Sequence, residues 1–189
     1  MADVIELDPV ETLGAGAVGV PGQRAFYIQA RKDDVQLTVL VEKEQVAMLA
    51  TEALQFLERL AGEFPEDPGE HGASLAFEAQ LHEPTVPLFR ARLIGLGYDP
   101  ARRLVLLELR ERTPEDEEAA EAEAEAASES GESDLLPDDE GFVARLYASR
   151  AQLRAMAAHG VEAVASGRPR CSLCDFPMDP DGHICPRWN

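Results

Sequence analysis

Short runs in which apolar and polar residues alternate predict seven β-strands along the chain. The runs are rich in valine, isoleucine, leucine and aromatic residues, and turn residues separate them. The polar pair Asp33-Asp34 lies between two such runs, which indicates a β-hairpin. Arginines and a glutamate alternate with apolar neighbours in 88–97 and 103–110, as in a strand pair with one solvent-exposed face. The predicted strands are 4–7, 25–30, 36–41, 74–81, 88–97, 103–110 and 142–147.

Two other segments change to a period of 3.6 residues, which predicts amphipathic helices. The first spans 43–61 and ends before the turn that begins at Pro65. The second begins after Ser149, which has Gln152 three residues later as in a capping box, and ends before Gly167. The expected buried faces are Val46, Leu49, Ala50, Ala53, Leu57 and Leu60 in the first helix, and Leu153, Met156, Ala157 and Val164 in the second.

The two predicted helices resemble each other and each follows a strand. Gln45-Val46 with Leu49-Ala50 in the first corresponds to Gln152-Leu153 with Met156-Ala157 in the second. Duplication of a strand-to-helix unit explains this similarity, and so does chance likeness between two amphipathic helices. Both explanations stay open at the level of sequence.

Residues 112–140 differ in composition from the rest of the chain. From 114 to 140 there are thirteen acidic side chains and no lysine or arginine. Such a segment cannot bury enough apolar surface to fold, so it is expected to be a disordered acidic insert. The alternative is a mimic of nucleic-acid charge that docks on a basic partner.

The pattern therefore predicts an α+β domain formed by 1–111 and 141–167, interrupted by the acidic insert 112–140. Its antiparallel sheet or half-barrel would have one face covered by the two helices. A zinc-binding C-terminal segment, 168–189, would follow as a zinc knuckle or short zinc ribbon.

The net charge is −19, of which −13 comes from the acidic segment, so the other 162 residues carry −6. An acidic surface without a dense basic patch repels duplex nucleic acid, which argues against a nucleic-acid partner. The N-terminal residues lack the features of a signal peptide, and no run of about 18 apolar residues is present. We therefore expect a cytoplasmic protein with no membrane partner.

All three cysteines lie near the C-terminus together with a histidine, in the spacing C-x2-C, eight residues, H-x-C. The turn signal Pro180-Asp181-Gly182 would fold the segment back and bring the two pairs together. Three thiolates and one imidazole suit a closed tetrahedral site, so we expect one structural Zn²⁺ per chain. The expected ligands are Cys171, Cys174, His183 and Cys185.

Phe176, Ile184 and Trp188 are expected to pack around this site. The segment has too little core to fold alone, so the metal would supply the missing folding energy. The alternative is a redox or disulfide pair formed by Cys171 and Cys174, which leaves the other two residues unexplained.

Two further patterns have a possible chemical meaning. Gly14 to Gly19 matches G-x-G-x-x-G, but Pro21-Gly22 follows where a dinucleotide site needs a helix to begin, so ordinary loop or strand glycines are expected. The second pattern is a set of four arginines in the predicted strands and their flanks. They could line an anion or partner site on a sheet face, or they could lie on a solvated sheet face without a ligand. They are Arg24, Arg31, Arg90 and Arg92.

Three stretches carry a resemblance to a known family. Pro21–Arg31 reads P-G-x-R-x-F-x-x-Q-A-R, Glu42–Val46 reads E-K-E-Q-V, and Arg168–Asn189 contains R-P-x-C-x-L-C and D-P-D-G-H-x-C-P-R-x-N. With these motifs on either side of an acidic stretch, the chain resembles an uncharacterised actinobacterial family of domains of unknown function. The resemblance implies a cytoplasmic bacterial protein and supplies no catalytic residues.

The leading hypothesis from the sequence is a non-enzymatic, zinc-binding protein-interaction or regulatory module. It would present a sheet face or the zinc segment to a protein partner. One alternative is an enzyme or binder of a small phosphorylated ligand that acts through the four arginines. Another is single-stranded nucleic-acid binding by the zinc segment, with Trp188 as a stacking platform.

Overall fold

The computed structural model describes residues 2–65, 79–111, 141–178 and 182–188. Within these residues the chain forms seven strands and two helices. The predicted acidic insert 112–140 lies outside the described residues, as does most of the predicted strand 74–81; its described residues 79–81 are not in a strand. The elements are β1 (Asp3–Leu7), β2 (Thr12–Val18), β3 (Ala25–Lys32), β4 (Val35–Val41), α1 (Lys43–Glu63), β5 (Phe89–Asp99), β6 (Leu104–Glu111), β7 (Phe142–Ala148) and α2 (Arg150–Ala165).

The strands form one mixed sheet in the order β1-β7-β6-β5-β4-β3-β2. Neighbouring strands are antiparallel except for β1 with β7 and β4 with β5, which are parallel. The α+β class is confirmed, but the expected antiparallel pairing throughout the sheet or half-barrel is wrong, because these two pairs of strands are parallel. The physical reason is that α1 returns the chain from the end of β4 to the start of β5, and such a crossover makes neighbouring strands parallel.

The two edge strands of the sheet, β1 and β2, are separated in sequence by only residues 8–11. Val10 N–H donates to Tyr147 O in β7 at 2.8 Å, and Glu11 N–H donates to Arg31 O in β3 at 2.8 Å. This four-residue link therefore contacts β7 and β3, which are the neighbours of the two edge strands. The sheet must curl enough for its two edges to approach each other there.

The predicted hairpin is present as β3 and β4, and its turn contains Asp33 with φ +51°. Aspartate is among the few residues that adopt this left-handed conformation readily. The strand β2 has no counterpart among the predicted strands, because its alanines and glycines do not alternate with polar residues.

Both described helices bury the faces that their periodicity predicts. All six residues expected for α1 are buried, and in α2 three of the four are buried while Val164 is partly buried against the core. Gly160 lets α2 approach closely, because a Cβ there would lie 3.1 Å from Val46 Cγ1 and 3.8 Å from Ala15 Cβ. No helix in the described parts of the chain has the length and apolar character needed to cross a membrane.

The glycine-rich run forms the strand β2, against which residues 79–81 pack. A Cβ at Gly14 would overlap the carbonyl oxygen of Ala79, and one at Gly16 would lie 3.0 Å from Leu81 Cγ. The glycines therefore make room for a crossing chain. A dinucleotide site would need a helix here, and the structure has a strand.

Gln45 in α1 links its helix to the sheet through both ends of its side-chain amide. Its Oε1 accepts a hydrogen bond from Glu42 N–H at 2.8 Å, which forms half of a capping box. Its Nε2 donates to Ala91 O at 3.2 Å and to Arg92 O at 3.0 Å, beside the bulge of β5.

Gln152 makes the same set of contacts at the start of α2. Its Oε1 accepts from Ser149 N–H at 2.9 Å, in the capping box that the sequence predicts. Its Nε2 donates to Val10 O at 3.2 Å and to Glu11 O at 2.9 Å, in the link between β1 and β2. The sequence similarity of the two helices thus corresponds to equivalent contacts. In each helix this glutamine bonds to the N-cap backbone and to two backbone carbonyl groups outside the helix.

We expect Gln45→Ala and Gln152→Ala each to lower the free energy of unfolding by about 1–3 kcal/mol, because each removes a cap and leaves partly buried backbone groups unsatisfied. Urea denaturation followed by circular dichroism measures this loss. Gln55→Ala, at an exposed position of α1, is the matched control and should change stability by less than about 0.5 kcal/mol. Equal losses of stability in Gln45→Ala and Gln55→Ala would show that the contacts of Gln45 do not contribute.

Candidate metal centre

The described residues 168–178 and 182–188, here called the cap, follow α2 and begin with a tight turn. Arg170 and Pro177 form an antiparallel bridge. Inside it, Cys171 N–H donates to Phe176 O and Asp175 N–H donates to Cys171 O, both at 2.9 Å. Asp175 has φ +61°, a conformation that aspartate tolerates. These bonds hold the C-x2-C pair on one turn.

The four predicted ligands are brought together by this turn and the segment that returns to it. Cys171 Sγ lies 3.8 Å from Cys185 Sγ, and Cys174 Sγ lies 3.2 Å from His183 Nε2. All four ligand atoms lie within 4.8 Å of one another, so they could hold a metal ion. A tetrahedral zinc ion with Zn–S bonds of about 2.3 Å places its sulfur ligands about 3.8 Å apart, which fits the separation of Cys171 Sγ and Cys185 Sγ.

The one-residue gap between His183 and Cys185 suits this geometry. Side chains two residues apart in an extended segment point to the same side, and the one between them points away. Accordingly, Cys185 is buried and His183 is half-buried, whereas Ile184 is 98% exposed. The short spacing therefore directs both ligand side chains into the cluster.

The polypeptide also supports the sulfur ligands. Leu173 N–H donates to Cys171 Sγ at 3.4 Å. Backbone hydrogen bonds from Cys174 and Leu173 lower the pKa of the Cys171 thiol, which favours the thiolate that binds metal. Burial raises the pKa of the Cys174 thiol. The second segment is tied to the first where Arg187 Nη1 donates to Leu173 O at 3.0 Å.

All three cysteines are free thiols in the structure. The redox alternative pairs Cys171 with Cys174, but Cys171 Sγ also lies 3.8 Å from Cys185 Sγ. His183 also takes part in the cluster, which that alternative leaves unexplained. The arrangement therefore favours metal ligation by all four residues.

The expected packing of large apolar residues around the site is wrong. Phe176 is 58%, Ile184 98% and Trp188 80% exposed, and Leu173 is 52% exposed. The segment is so short that backbone hydrogen bonds and the four converging residues determine its conformation. Those four residues occupy its small interior. The apolar side chains are left on the outside.

The four arginines expected to form an anion or partner site are not brought together as one set. Arg24 and Arg90 line one cleft of about 1010 Å³, between the sheet, the C-terminal end of α2 and the cap. Arg92 lines a second cleft of about 430 Å³ between α1 and β5. Arg31 in β3 lines neither of these two clefts.

The larger cleft contains three cations that sequence reasoning missed. Lys43 is the first residue of α1, while Arg168 and Arg170 belong to the cap. These residues are too far apart in the sequence for a local pattern to connect them. The only hint was that Lys43 and Arg168 both lie within the motifs on which the family resemblance depends.

Comparison with known proteins assigns no activity to this arrangement. One protein-family model, described as "Protein of unknown function (DUF3090)", matches residues 5–185. No curated protein and no solved structure matches the chain.

Proposed function

Because the chain belongs to the DUF3090 family, whose description states no function, we propose from its own site that it is a zinc-binding, non-enzymatic protein-interaction or regulatory module. Three thiolates and one imidazole whose ligand atoms lie within 4.8 Å of one another are a donor set that zinc prefers. Four protein ligands leave no open coordination position for a substrate or an activated water. The metal would therefore be structural, with one ion per chain.

In this proposal the metal determines whether the cap folds. Cys171, Cys174, His183 and Cys185 would hold the ion, which supplies folding energy that the cap's small interior cannot provide. The cap's apolar side chains are then presented to solvent on a fixed backbone. A binding surface on such a cap exists only while the metal is bound.

The exposure of four large apolar side chains on this small cap is the observation that carries the proposal. They are Leu173, Phe176, Ile184 and Trp188. Exposed apolar surface is unfavourable in water, and aromatic side chains are enriched among the residues that dominate protein interfaces. Burial of these side chains against a partner would remove them from water.

Charge favours a different protein as the partner over a second copy of this chain. The net charge of −19 makes two copies repel each other, and it also opposes binding to nucleic acid. Within 168–189, Arg168, Arg170 and Arg187 are balanced by Asp175, Asp179 and Asp181. The expected partner therefore has a largely apolar groove without a strong charge requirement.

We expect Ile184→Asp/Trp188→Asp to weaken partner binding at least tenfold, because two carboxylates would enter an apolar contact. Affinity capture from native lysate with wild type and variant, followed by titration of the captured protein in purified form, measures the change. Val35→Asp/Val86→Asp is the matched control, since both valines are exposed and lie outside the cap. It should bind as wild type does.

Zinc content must be equal in all three proteins, which shows that the cap remains folded. A captured protein that binds wild type and both variants equally would contradict the role of the cap, as would a failure to capture any stoichiometric protein.

Stacking of single-stranded nucleic acid on Trp188 is the second candidate, and the 80% exposure of that side chain favours it. The two candidates differ in salt dependence, because nucleic-acid binding releases counterions and strengthens at low salt. A mobility-shift assay with single-stranded DNA at low salt separates them. The protein-interaction proposal expects no shift.

A further inference from the structure

The cleft of about 1010 Å³ between the sheet and the cap has the size of a small-molecule site. Its floor comes from the start of β3 and the end of β4, and one side comes from the N-terminus of α1. The cap and the C-terminal end of α2 close the opposite side. With the start of β5, which contributes Arg90, five strands and helices and the cap meet around it.

Positive charge is concentrated in this cleft. Two acidic residues, Glu42 and Asp175, face five cations. Like charges brought together by folding repel each other. The cationic cluster is the more notable because the whole chain has a net charge of −19. An anion in the cleft would relieve that repulsion. The five cations are Arg24, Lys43, Arg90, Arg168 and Arg170.

Two of the cations converge on Gly167. Arg24 Nη2 lies 3.3 Å and Lys43 Nζ lies 4.0 Å from the position that a Cβ would take at this glycine. Because glycine has no side chain, the space beside the two charged groups stays open, with the carbonyl oxygen of Val164 3.7 Å from the same position. A phosphate group has oxygens that both donors could reach from there.

Arg24 is held in place before any ligand arrives. Its Nη1 donates to Ala163 O and to Ser166 Oγ, both at 3.0 Å, near the end of α2. Its guanidinium also lies over the ring of Phe26, 5.3 Å from the centroid. A donor fixed in this way loses little conformational entropy on binding.

The ion pairs in the cleft are weak competitors for an anion. Arg90 pairs with Glu42, and Arg170 pairs with Asp175 at 2.9 Å, but all four side chains are exposed. Exposed ion pairs of this kind contribute about 0–1 kcal/mol. A doubly charged ligand can therefore compete for these arginines, and the N-terminal end of α1 adds a favourable dipole.

We propose that this cleft binds a small molecule that carries a phosphate group, with Arg24, Lys43 and Arg90 as its principal contacts. This goes beyond the protein-interaction function: of the four exposed apolar residues of the cap, Phe176 lines the cleft, whereas Leu173, Ile184 and Trp188 do not. The two activities can therefore fail separately. Because the cap supplies one wall, the metal-loaded chain is the form that binds.

Inorganic phosphate serves as the probe, titrated into the zinc-loaded full chain at constant ionic strength and followed by ¹H–¹⁵N NMR. We expect saturable shifts at the amides of Gly22, Lys43 and Gly167, which surround the cleft. Lys43→Glu should weaken binding at least tenfold. A glutamate at this exposed first position of α1 suits the helix dipole, so the fold should persist.

Arg59→Glu is the matched control, because it makes the same charge change on an exposed face of α1 outside this cleft. It should alter the affinity less than twofold. The proposal is overturned if phosphate produces no saturable shifts, if the shifts lie away from the cleft, or if both variants weaken binding equally.

Discussion

Replacing Cys171 by serine should abolish metal binding and unfold the cap, while the sheet and both described helices stay folded. Cys171 is one of the four proposed ligands, and serine lacks the thiolate that binds metal, whereas its backbone keeps the hydrogen bonds to Asp175 and Phe176. The cap has no apolar core to replace the lost metal, because Ile184 and Trp188 are exposed. Structural zinc contributes about 10–16 kcal/mol in comparable peptides, so no neighbouring contact compensates for its loss.

The dispersion of amide signals from 168–188 in ¹H–¹⁵N NMR spectra measures this change. Ser172→Ala is the matched control, since Ser172 is exposed on the same turn and offers no ligand in the cluster. Its spectrum should match that of wild type. A dispersed, metal-free cap in Cys171→Ser would show that the polypeptide folds this segment without metal.

Gly14→Ala should lower the free energy of unfolding by about 3 kcal/mol, near the upper end of what added methyl groups cost in packed regions. The new Cβ would overlap the backbone carbonyl of Ala79, which cannot rotate away as a side chain can. Displacement of this chain would also disturb Gln29, which accepts from His82 N–H at 2.7 Å and donates to His82 O at 2.9 Å. Because Gln29 is buried, loss of these bonds leaves polar groups unsatisfied.

Urea denaturation of Gly14→Ala and Gly16→Ala measures the difference between two glycines on the same face of β2. A Cβ at Gly16 would meet only the flexible side chain of Leu81, so its cost should be about 1 kcal/mol or less. Similar stabilities of the two variants would contradict the role assigned to the crossing chain at residues 79–81.

Local patterns explain which parts of the fold were predictable. The hairpin β3–β4, the buried faces of α1 and α2, and the capping box at Ser149 each depend on residues close in sequence. The box at Glu42 was missed because glutamate is not a usual capping residue, although Gln45 stands where Gln152 does. Parallel pairing of β1 with β7 joins the two ends of the domain, which no local pattern encodes.

The candidate sites, too, are predictable only where their residues lie close together in the sequence. The four candidate metal ligands lie within fifteen consecutive residues, and their chemistry and spacing suffice to connect them. The cleft combines Arg24, Lys43 and Arg90 with the cap, and only the folded sheet brings these positions together. Arg90 and Arg92 are two residues apart and would share one face of a regular strand, but the bulge in β5 lies between Ala91 and Leu93, and Arg92 lines a different cleft.

The exposed residues of the cap could not be predicted because their burial depends on what the cap contacts. A sequence that places Phe176 and Trp188 beside metal ligands is equally compatible with packing around the site and with presentation to a partner. The structure leaves both side chains largely exposed, and the proposed function interprets that exposure as a surface for a partner.

Elemental analysis of metal per chain, on untagged protein purified without chelator, tests the proposed metal site. We expect about one zinc ion per wild-type chain, held by Cys171, Cys174, His183 and Cys185. Freshly reduced wild-type protein that contains no metal would contradict it, and the three cysteines would then have to be explained by redox chemistry.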